Sequence, residues 1–178
     1  MVIKTNWYVV AGAPGSGKTT TIERLASLGY AVSPEAARAI IDEAMKRGEM
    51  IGQIRGDEAE FQKRVFQTKI EIENKISPDK LTFIDGGGLP ASIAYYQIAG
   101  LTPFLVAKEA RKRKYRGVFF LEQLPYEKDY ARIENGKTAR VLHGLLYKAY
   151  QDLGYEVVRV PVRPVEERIK FILSRLDG

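Results

Sequence analysis

The sequence contains no cysteine and a single histidine, His143, among its 178 residues. The absence of cysteine excludes disulfide bonds, thiolate metal sites and cysteine nucleophiles. A lone histidine without a cysteine or histidine partner also argues against a zinc site. No apolar stretch is long enough to cross a bilayer, and the first residues lack the basic and then apolar pattern of a secretory signal. We therefore expect a cytoplasmic protein without a transmembrane segment.

Acidic residues are fewer than basic ones, 22 against 28, which gives a formal net charge of +6. Much of the excess lies in one run within residues 108–116, namely Lys108, Arg111, Lys112, Arg113, Lys114 and Arg116. Such a run is typical of the solvated end of a helix, and we favour that interpretation. The alternative is a surface that contacts nucleic acid or anionic lipid. No motif with interleaved aromatic residues supports an RNA-binding module.

A glycine-rich segment near the N-terminus is the most informative feature that is present. Residues Gly12, Ala13, Pro14, Gly15, Ser16, Gly17, Lys18 and Thr19 form a complete P-loop pattern, and Thr20 follows it. An apolar run at residues 7–11 precedes this pattern as a predicted strand, and residues 18–28 follow it with helical periodicity. In that setting main-chain N–H groups and the helix dipole converge on one anion. Lys18 then reaches the β- and γ-phosphates, and Thr19 binds Mg²⁺.

The remaining pattern alternates strands and helices within a single predicted domain, residues 1–178. Strands are expected at residues 7–11, 30–33, 81–85, 118–121 and 156–160. Helices are expected at residues 18–28, 35–47, 57–76, 90–98, 103–115, 139–153 and 164–176, with a glycine-rich connection at 48–56. Strands with continuous apolar runs, separated by helices, predict a five-stranded parallel sheet covered on both faces, a three-layer α/β/α architecture. Ligands should then bind at the carboxyl ends of the strands.

Two carboxylates follow predicted strands and should face that edge. Asp85 ends an apolar strand, as a Walker-B carboxylate that orients Mg²⁺ must. Glu35 stands just past the second strand, where a carboxylate can accept the proton of a substrate hydroxyl or hold the acceptor. The same position also lies at the start of a predicted helix, with Ser33 as its cap, where negative charge is favoured by the dipole alone. Arg38, one turn further on, could pair with Glu35 or with a substrate anion.

A polar segment at residues 126–140 follows the fourth predicted strand. In a phosphoryl-transfer enzyme a closing lid at this place supplies arginines to the transferring group, and Arg132 and Arg140 are the candidates. The alternative is an exposed charged loop without a role in catalysis.

These segments together resemble a known family. The chain is similar to the small AAA-type P-loop ATPases related to the kinase domain of bacterial nicotinamide riboside kinase and to an animal GTP-binding protein of the same group. The resemblance covers nearly the whole sequence. The segments that carry it are residues 12–19, 34–38, 61–62 with Gln67, 83–85, 94–95 and 165–168.

The resemblance implies a nucleotide-kinase-like sheet in the order 2-3-1-4-5 with a lid after the fourth strand. It also implies an arginine directly after the Walker-B aspartate, where this sequence has Gly86. An arginine there grips the acceptor or a phosphate. Its replacement argues against acceptor phosphorylation or leaves that task to Arg38 or a lid residue.

The sequence therefore predicts an ATP-binding, Mg²⁺-dependent phosphotransferase that acts on a small hydroxylated metabolite, for which a nucleoside is one candidate. Its catalytic residues would be Lys18, Glu35, Asp85, Arg132 and Arg140. Two alternatives are an acceptor-independent NTPase and a nucleotide-switched binding module that uses residues 108–116. GTP is also considered, because residues 85–88 fit the D-x-x-G pattern, although no Asn/Thr-Lys-x-Asp segment is present to read guanine.

Overall fold

The computed structural model describes residues 1–125 and 136–176. Within them the main sheet consists of five strands, β2 (Trp7–Ala11), β3 (Ala31–Val32), β4 (Thr82–Ile84), β6 (Gly117–Leu121) and β7 (Val157–Val160). Two shorter strands, β1 (Ile3–Lys4) and β5 (Arg113–Lys114), form a separate parallel ladder. The described helices are α1 (Lys18–Ser27), α2 (Ala36–Lys46), α3 (Ile51–Ile54), α4 (Glu58–Asn74), α5 (Gly88–Ile98), α6 (Phe104–Ala110), α7 (Gly136–Asp152) and α8 (Val165–Leu173).

The main sheet has the order β3-β4-β2-β6-β7, and each neighbouring pair is parallel. Counted along the chain within this sheet alone, the order is 2-3-1-4-5, which the resemblance implies. The numbering differs only because the sequence analysis missed the β1–β5 ladder. The predicted fold class, a parallel α/β sheet, is confirmed.

Helices cover both faces of the sheet, and the central strand shows why. Alternate side chains along a strand point to opposite faces. Trp7 and Val9 of β2 pack in one core cluster with residues of α5 and α7, among them Leu146. Tyr8 and Val10 pack in a second cluster with residues of α1 and α8. All five residues of β2 are buried, as a strand between two helical layers requires.

A third, smaller apolar cluster joins α2, α3 and α4 beside the sheet edge. It contains Ile40 and Ala44 of α2, Ile54 of α3, and Phe61 and Val65 of α4. The short helix α3 lies inside residues 48–56, which the glycine content predicts as a connection. Burial of Ile54 against α4 explains why this segment forms a helical turn instead.

The helix predicted over residues 103–115 was wrong in its second half. Helix α6 ends at Ala110, and the chain turns into β5, where Arg113 pairs in register with Ile3 of β1. Arg113 is 8% exposed, so the basic run is not simply the solvated end of a helix. A short strand pair of this kind depends on residues distant in sequence, which local charge patterning cannot reveal.

Arg113 belongs to a buried polar network between α4 and α5. Its Nε lies 3.7 Å from Oε2 of Glu73, and its Nη2 donates a hydrogen bond to Oδ1 of Asn74. Oε1 of Glu73 accepts hydrogen bonds from the Tyr115 hydroxyl at 2.8 Å and from the Leu89 N–H at 3.2 Å. Burial raises the pKa of Glu73 to about 7, while the Tyr115 hydrogen bond and the charge of Arg113 act in the opposite direction.

No helix in residues 1–125 or 136–176 has the length and apolar character needed to cross a membrane.

The raised pKa of Glu73 predicts a specific dependence of stability on pH. The folded chain keeps the Glu73 proton up to about pH 7, whereas the unfolded chain releases it near its ordinary pKa of 4.5. The free energy of unfolding that Glu73 contributes must therefore fall as the pH rises through this window. We expect Glu73→Gln to gain stability relative to the wild type between pH 5 and pH 7. Urea denaturation at several pH values measures this difference.

Glu71→Gln is the matched control, because Glu71 is an exposed carboxylate on the same helix. The difference from the wild type should depend on pH more strongly for Glu73→Gln than for Glu71→Gln. Equal pH dependence of the two differences would contradict the raised pKa of Glu73.

Candidate functional site

The P-loop connects the central strand β2 to the first turn of α1. Gly15 and Gly17 have φ values of 83°, a left-handed conformation that favours glycine. Gly17 is the N-cap of α1, and the first turn of that helix contains no acidic residue. The free N–H groups of a helix N-terminus and its dipole together favour an anion at this point. The predicted phosphate-binding loop therefore has the backbone that its chemistry requires.

Side chains of the P-loop divide between the cavity and the core. Lys18 lines the cavity, and its Nζ donates hydrogen bonds to the carbonyls of Gly12 at 2.6 Å and Ala13 at 3.1 Å. Thr19 is exposed at the same edge. The side chains of Ala13 and Ser16 are buried and do not line the cavity. These two residues could contribute to binding only through their backbone.

Arg168 of α8 supports the P-loop from behind. Its side chain is buried, and Nη1 donates hydrogen bonds to the carbonyls of Ser16 and Gly17, both at 3.3 Å, and to the Thr21 hydroxyl at 3.2 Å. A side chain at Gly17 would collide with this guanidinium. Glycine is therefore required at this position both by its φ angle and by the close approach of Arg168.

Asp85 and Glu35 lie together because β3 and β4 are neighbours in the sheet. The Asp85 N–H donates a hydrogen bond to the Ser33 hydroxyl at 2.9 Å, which ties the ends of the two strands. Ser33 is therefore not the helix cap that the sequence predicts. Glu35 is the N-cap of α2, and its two carboxylate oxygens accept hydrogen bonds from the N–H groups of Ala37 and Arg38 at 3.0 and 2.9 Å.

The Asp85 carboxylate is partly shielded from water. Burial raises its pKa, and the Glu35 charge acts in the same direction. The N–H of Gly86, which donates to Oδ1 at 2.6 Å, and the charges of Lys18 and Arg38 lower it. Two carboxylates and two cations therefore meet at the carboxyl edge of the sheet.

A cavity of about 530 Å³ joins these groups. One part of its wall is the P-loop, and another part comes from α2, α4 and the turn after β4. The predicted site residues in this wall are Gly12, Pro14, Gly15, Gly17, Lys18, Thr19, Thr20, Glu35, Arg38 and Asp85. The structure thus brings most of the predicted nucleotide, metal and substrate residues to one place.

The oxygen donors in this wall suit Mg²⁺. The Thr19 hydroxyl and the Asp85 carboxylate are hard oxygen ligands of the kind that Mg²⁺ prefers. Within the described part of the chain, no group of three or more His, Cys, Asp or Glu side chains could hold a metal on its own. The residues therefore fit a Mg²⁺ ion that takes its remaining ligands from phosphate oxygens and water.

The predicted lid arginines are not part of the described site. Arg132 falls in residues 126–135, outside the described residues. Arg140 is exposed on the first turns of α7, where its Nε donates a hydrogen bond to the Gly136 carbonyl at 3.3 Å, and it does not line the cavity. Its role in catalysis stays a prediction.

Helix α4 brings a cavity residue that the sequence analysis missed. Lys69 is 6% exposed and donates hydrogen bonds to the carbonyls of Gly86 and Gly88, both at 2.9 Å. Burial lowers its pKa to about 8, although Glu35, Glu73 and Asp85 act to raise it. The signal was present in the sequence, because Phe61, Val65 and Lys69 recur every four residues on the inner stripe of α4.

Other cavity residues were not among the predicted site residues. Arg55 packs over the Phe61 ring at 5.1 Å and donates to Glu58, whose carboxylate also accepts a hydrogen bond from Gln62 at 2.8 Å. Arg55, Phe61 and Gln62 all line the cavity, as does Tyr95 of α5. The part of the cavity away from the P-loop is therefore bounded by an aromatic ring and by polar side chains.

The basic run at residues 108–116 does not form one continuous surface. Arg113 is buried, and Lys114 donates to the Gly154 carbonyl at 3.1 Å while it packs over the Tyr155 ring at 3.9 Å. Arg116 donates to Asn6 at 2.8 Å. These intramolecular contacts leave the suggested nucleic-acid or lipid surface without support.

A parallel sheet in this order, with a P-loop after its central strand, defines a P-loop NTPase with a kinase-like fold. The sequence model of the AAA domain family matches residues 7–168, and the chain belongs to that family. This result confirms the resemblance inferred from the motifs. No match is found among curated protein sequences.

Solved structures of kinase-like proteins share this fold. NadR protein in complex with NR superposes with a TM-score of 0.73 at 16% identity, covering 98% of this chain and 50% of that one. The chain therefore spans about half the length of NadR. Shikimate kinase from Aquifex aeolicus has a TM-score of 0.57 at 22% identity, covering 97% and 96% of the two chains. Deoxyadenosine kinase from M. mycoides with bound dATP has a TM-score of 0.63 at 13% identity, covering 97% and 100%.

The contacts of Arg168 predict that it stabilises the P-loop. Arg168→Met removes the donor to two carbonyls and a hydroxyl. We expect the free energy of unfolding to fall by about 2 kcal/mol, because buried acceptors lose a charged partner. Urea denaturation measures this loss. The control is Lys170→Met, an exposed position on the same helix, which should change stability little. Equal effects of the two substitutions would contradict the role of Arg168.

Proposed function

We propose that the protein is a Mg²⁺-dependent phosphotransferase that moves the γ-phosphoryl group of ATP to a hydroxyl of a small metabolite. The observation that carries this proposal is the shared cavity: the P-loop and the acidic edge at Glu35 and Asp85 open into the same space, which extends to α4. A space beyond the phosphate site is what an acceptor molecule needs. The kinase-like fold of the AAA domain family supports the same conclusion.

The P-loop would bind the triphosphate. Its N–H groups surround the phosphates, and the Lys18 ammonium neutralises charge at the β and γ positions. Thr19 and Asp85 would hold Mg²⁺, which supplies further neutralisation of the phosphate oxygens when bound. The chain itself contributes positioning and electrostatic stabilisation, which are the main requirements of phosphoryl transfer.

Transfer to the acceptor involves one bond made and one broken. The acceptor oxygen forms a bond to the γ-phosphorus as the bond from that phosphorus to the β,γ-bridging oxygen breaks, and ADP leaves. Glu35 accepts the proton of the acceptor hydroxyl or holds the acceptor in place. Arg38 in the cavity wall would bind an anionic group, and Arg132 or Arg140 would close over the γ-phosphate.

The acceptor would be a small hydroxylated molecule with a flat apolar part. Phe61 and Tyr95 offer ring surfaces, whereas Arg38 and Gln62 offer hydrogen-bond donors. NadR in complex with NR and deoxyadenosine kinase are proteins of the same fold, which makes nucleosides and related metabolites the first compounds to test.

A screen of nucleosides and sugars with γ-labelled ATP tests the proposed reaction. The expected result is label on one acceptor in the presence of Mg²⁺. Release of labelled phosphate at a rate that no acceptor changes would instead identify an acceptor-independent NTPase.

Parallel reactions with GTP test the preference for adenine. Equal binding of ATP and GTP by calorimetry would contradict that preference.

Glu35→Gln tests the assigned proton acceptor. The amide keeps the size of the side chain but cannot accept a proton, so turnover should fall by about a hundredfold or more. The affinity for ATP should stay close to that of the wild type, because the P-loop is unchanged. The control is Glu43→Gln, an exposed glutamate on the same helix. Unchanged turnover in the Glu35 variant would remove Glu35 from the mechanism.

A further inference from the structure

Lys69 is an unusual residue because its charge is buried and its hydrogen-bond acceptors are main-chain carbonyls. Lysine is almost never fully buried unless it is paired. The carboxylates of Glu35, Glu73 and Asp85 act on its charge, but among the described residues none forms an ion pair with its Nζ. Its partners are instead two main-chain carbonyls, those of Gly86 and Gly88 at 2.9 Å each. Burial of the ammonium costs free energy, and its hydrogen bonds to the two carbonyls of this turn offset part of that cost.

The turn that Lys69 contacts consists of three successive glycines. Gly86, Gly87 and Gly88 have φ values of 65°, 77° and 60°. Three successive glycines in the left-handed region have the largest backbone freedom that a chain can offer. Contacts from outside the turn must therefore fix its conformation. The Tyr150 hydroxyl donates to the Gly87 carbonyl at 2.6 Å, and Lys69 holds the carbonyls on either side of it.

Gly86 is hydrogen-bonded both to the Asp85 carboxylate and to Lys69. The N–H of Gly86 donates to Oδ1 of Asp85 at 2.6 Å, and the carbonyl of Gly86 accepts from Lys69. The two peptide groups that flank Gly86 are thus bound to Asp85 and to Lys69, respectively. Rotation about the Gly86 backbone would move the donor that fixes the Asp85 carboxylate. Lys69 opposes that rotation.

We propose that Lys69 is a positioning residue, which fixes the Gly86–Gly88 turn from beneath and so holds the Asp85 carboxylate at the place of metal binding. This inference rests on the proposed function, in which Asp85 is a Mg²⁺ ligand. Side chains that orient a metal ligand from the outer shell contribute roughly tenfold to hundredfold to metal affinity.

The test compares ATP binding by calorimetry with Mg²⁺ present and with Mg²⁺ removed by EDTA. Lys69→Met keeps the length of the side chain and removes its charge and its donors. In this variant the gain in ATP affinity on adding Mg²⁺ should shrink by about tenfold or more. The affinity measured in EDTA should match that of the wild type, because the P-loop is intact. Lys63→Met, an exposed position on the same helix, is the control and should keep the full gain.

Each other outcome separates the two proposals. A wild-type protein whose ATP affinity does not respond to Mg²⁺ would overturn the proposed metal site and this inference with it. A normal wild-type response that Lys69→Met retains would overturn the inference alone. Affinities that fall equally with and without Mg²⁺ would show a merely structural role and would also overturn it. If Lys69→Met does not fold, Lys69→Gln, which keeps one donor group, is judged by the same comparison.

Discussion

The backbone of the P-loop is the constraint on which the rest of the site depends. Its left-handed glycines turn the chain from the central strand into α1 and leave the first N–H groups of that helix pointing at one place. Successive main-chain N–H groups in such a turn form a concave site that binds an anion such as phosphate. Asp85 and Glu35 can act on a bound triphosphate because they line the same cavity as the P-loop.

Buried cations contact two glycine-rich segments around this point. Arg168 binds the P-loop carbonyls from α8, and Lys69 binds the carbonyls of the turn after β4 from α4. The two glycine-rich segments supply the unusual backbone conformations, whereas cations from distant helices restrict them. Glu73, four residues after Lys69, also contacts the first turn of α5, where its carboxyl group accepts a hydrogen bond from the Leu89 N–H. In both segments, glycines adopt the backbone conformation and a buried cation from another helix stabilises it.

Local sequence patterns predicted the parts of the fold that local chemistry determines. The P-loop, the apolar strand before it and the carboxylate after β4 each have a short pattern with a physical cause. The order of the sheet came from the resemblance, because periodicity alone does not fix strand order. The roles of Arg113 and Arg168 were not predicted, because their partners lie far away in the chain. Lys69 was missed although its position on the inner stripe of α4 could have been recognised. Glu35 shows a further limit: one position suits both a helix cap and a proton acceptor, and the structure shows the cap.

The most direct test of this account is the calorimetric titration of ATP into the protein in Mg²⁺-containing buffer, beside the same titration of Lys18→Met. The account predicts saturable binding of one ATP per chain by the wild type and a large loss of affinity in the variant, since the proposed function places the Lys18 charge at the β- and γ-phosphates. A wild-type chain that circular dichroism shows to be folded, yet binds no ATP, would contradict it.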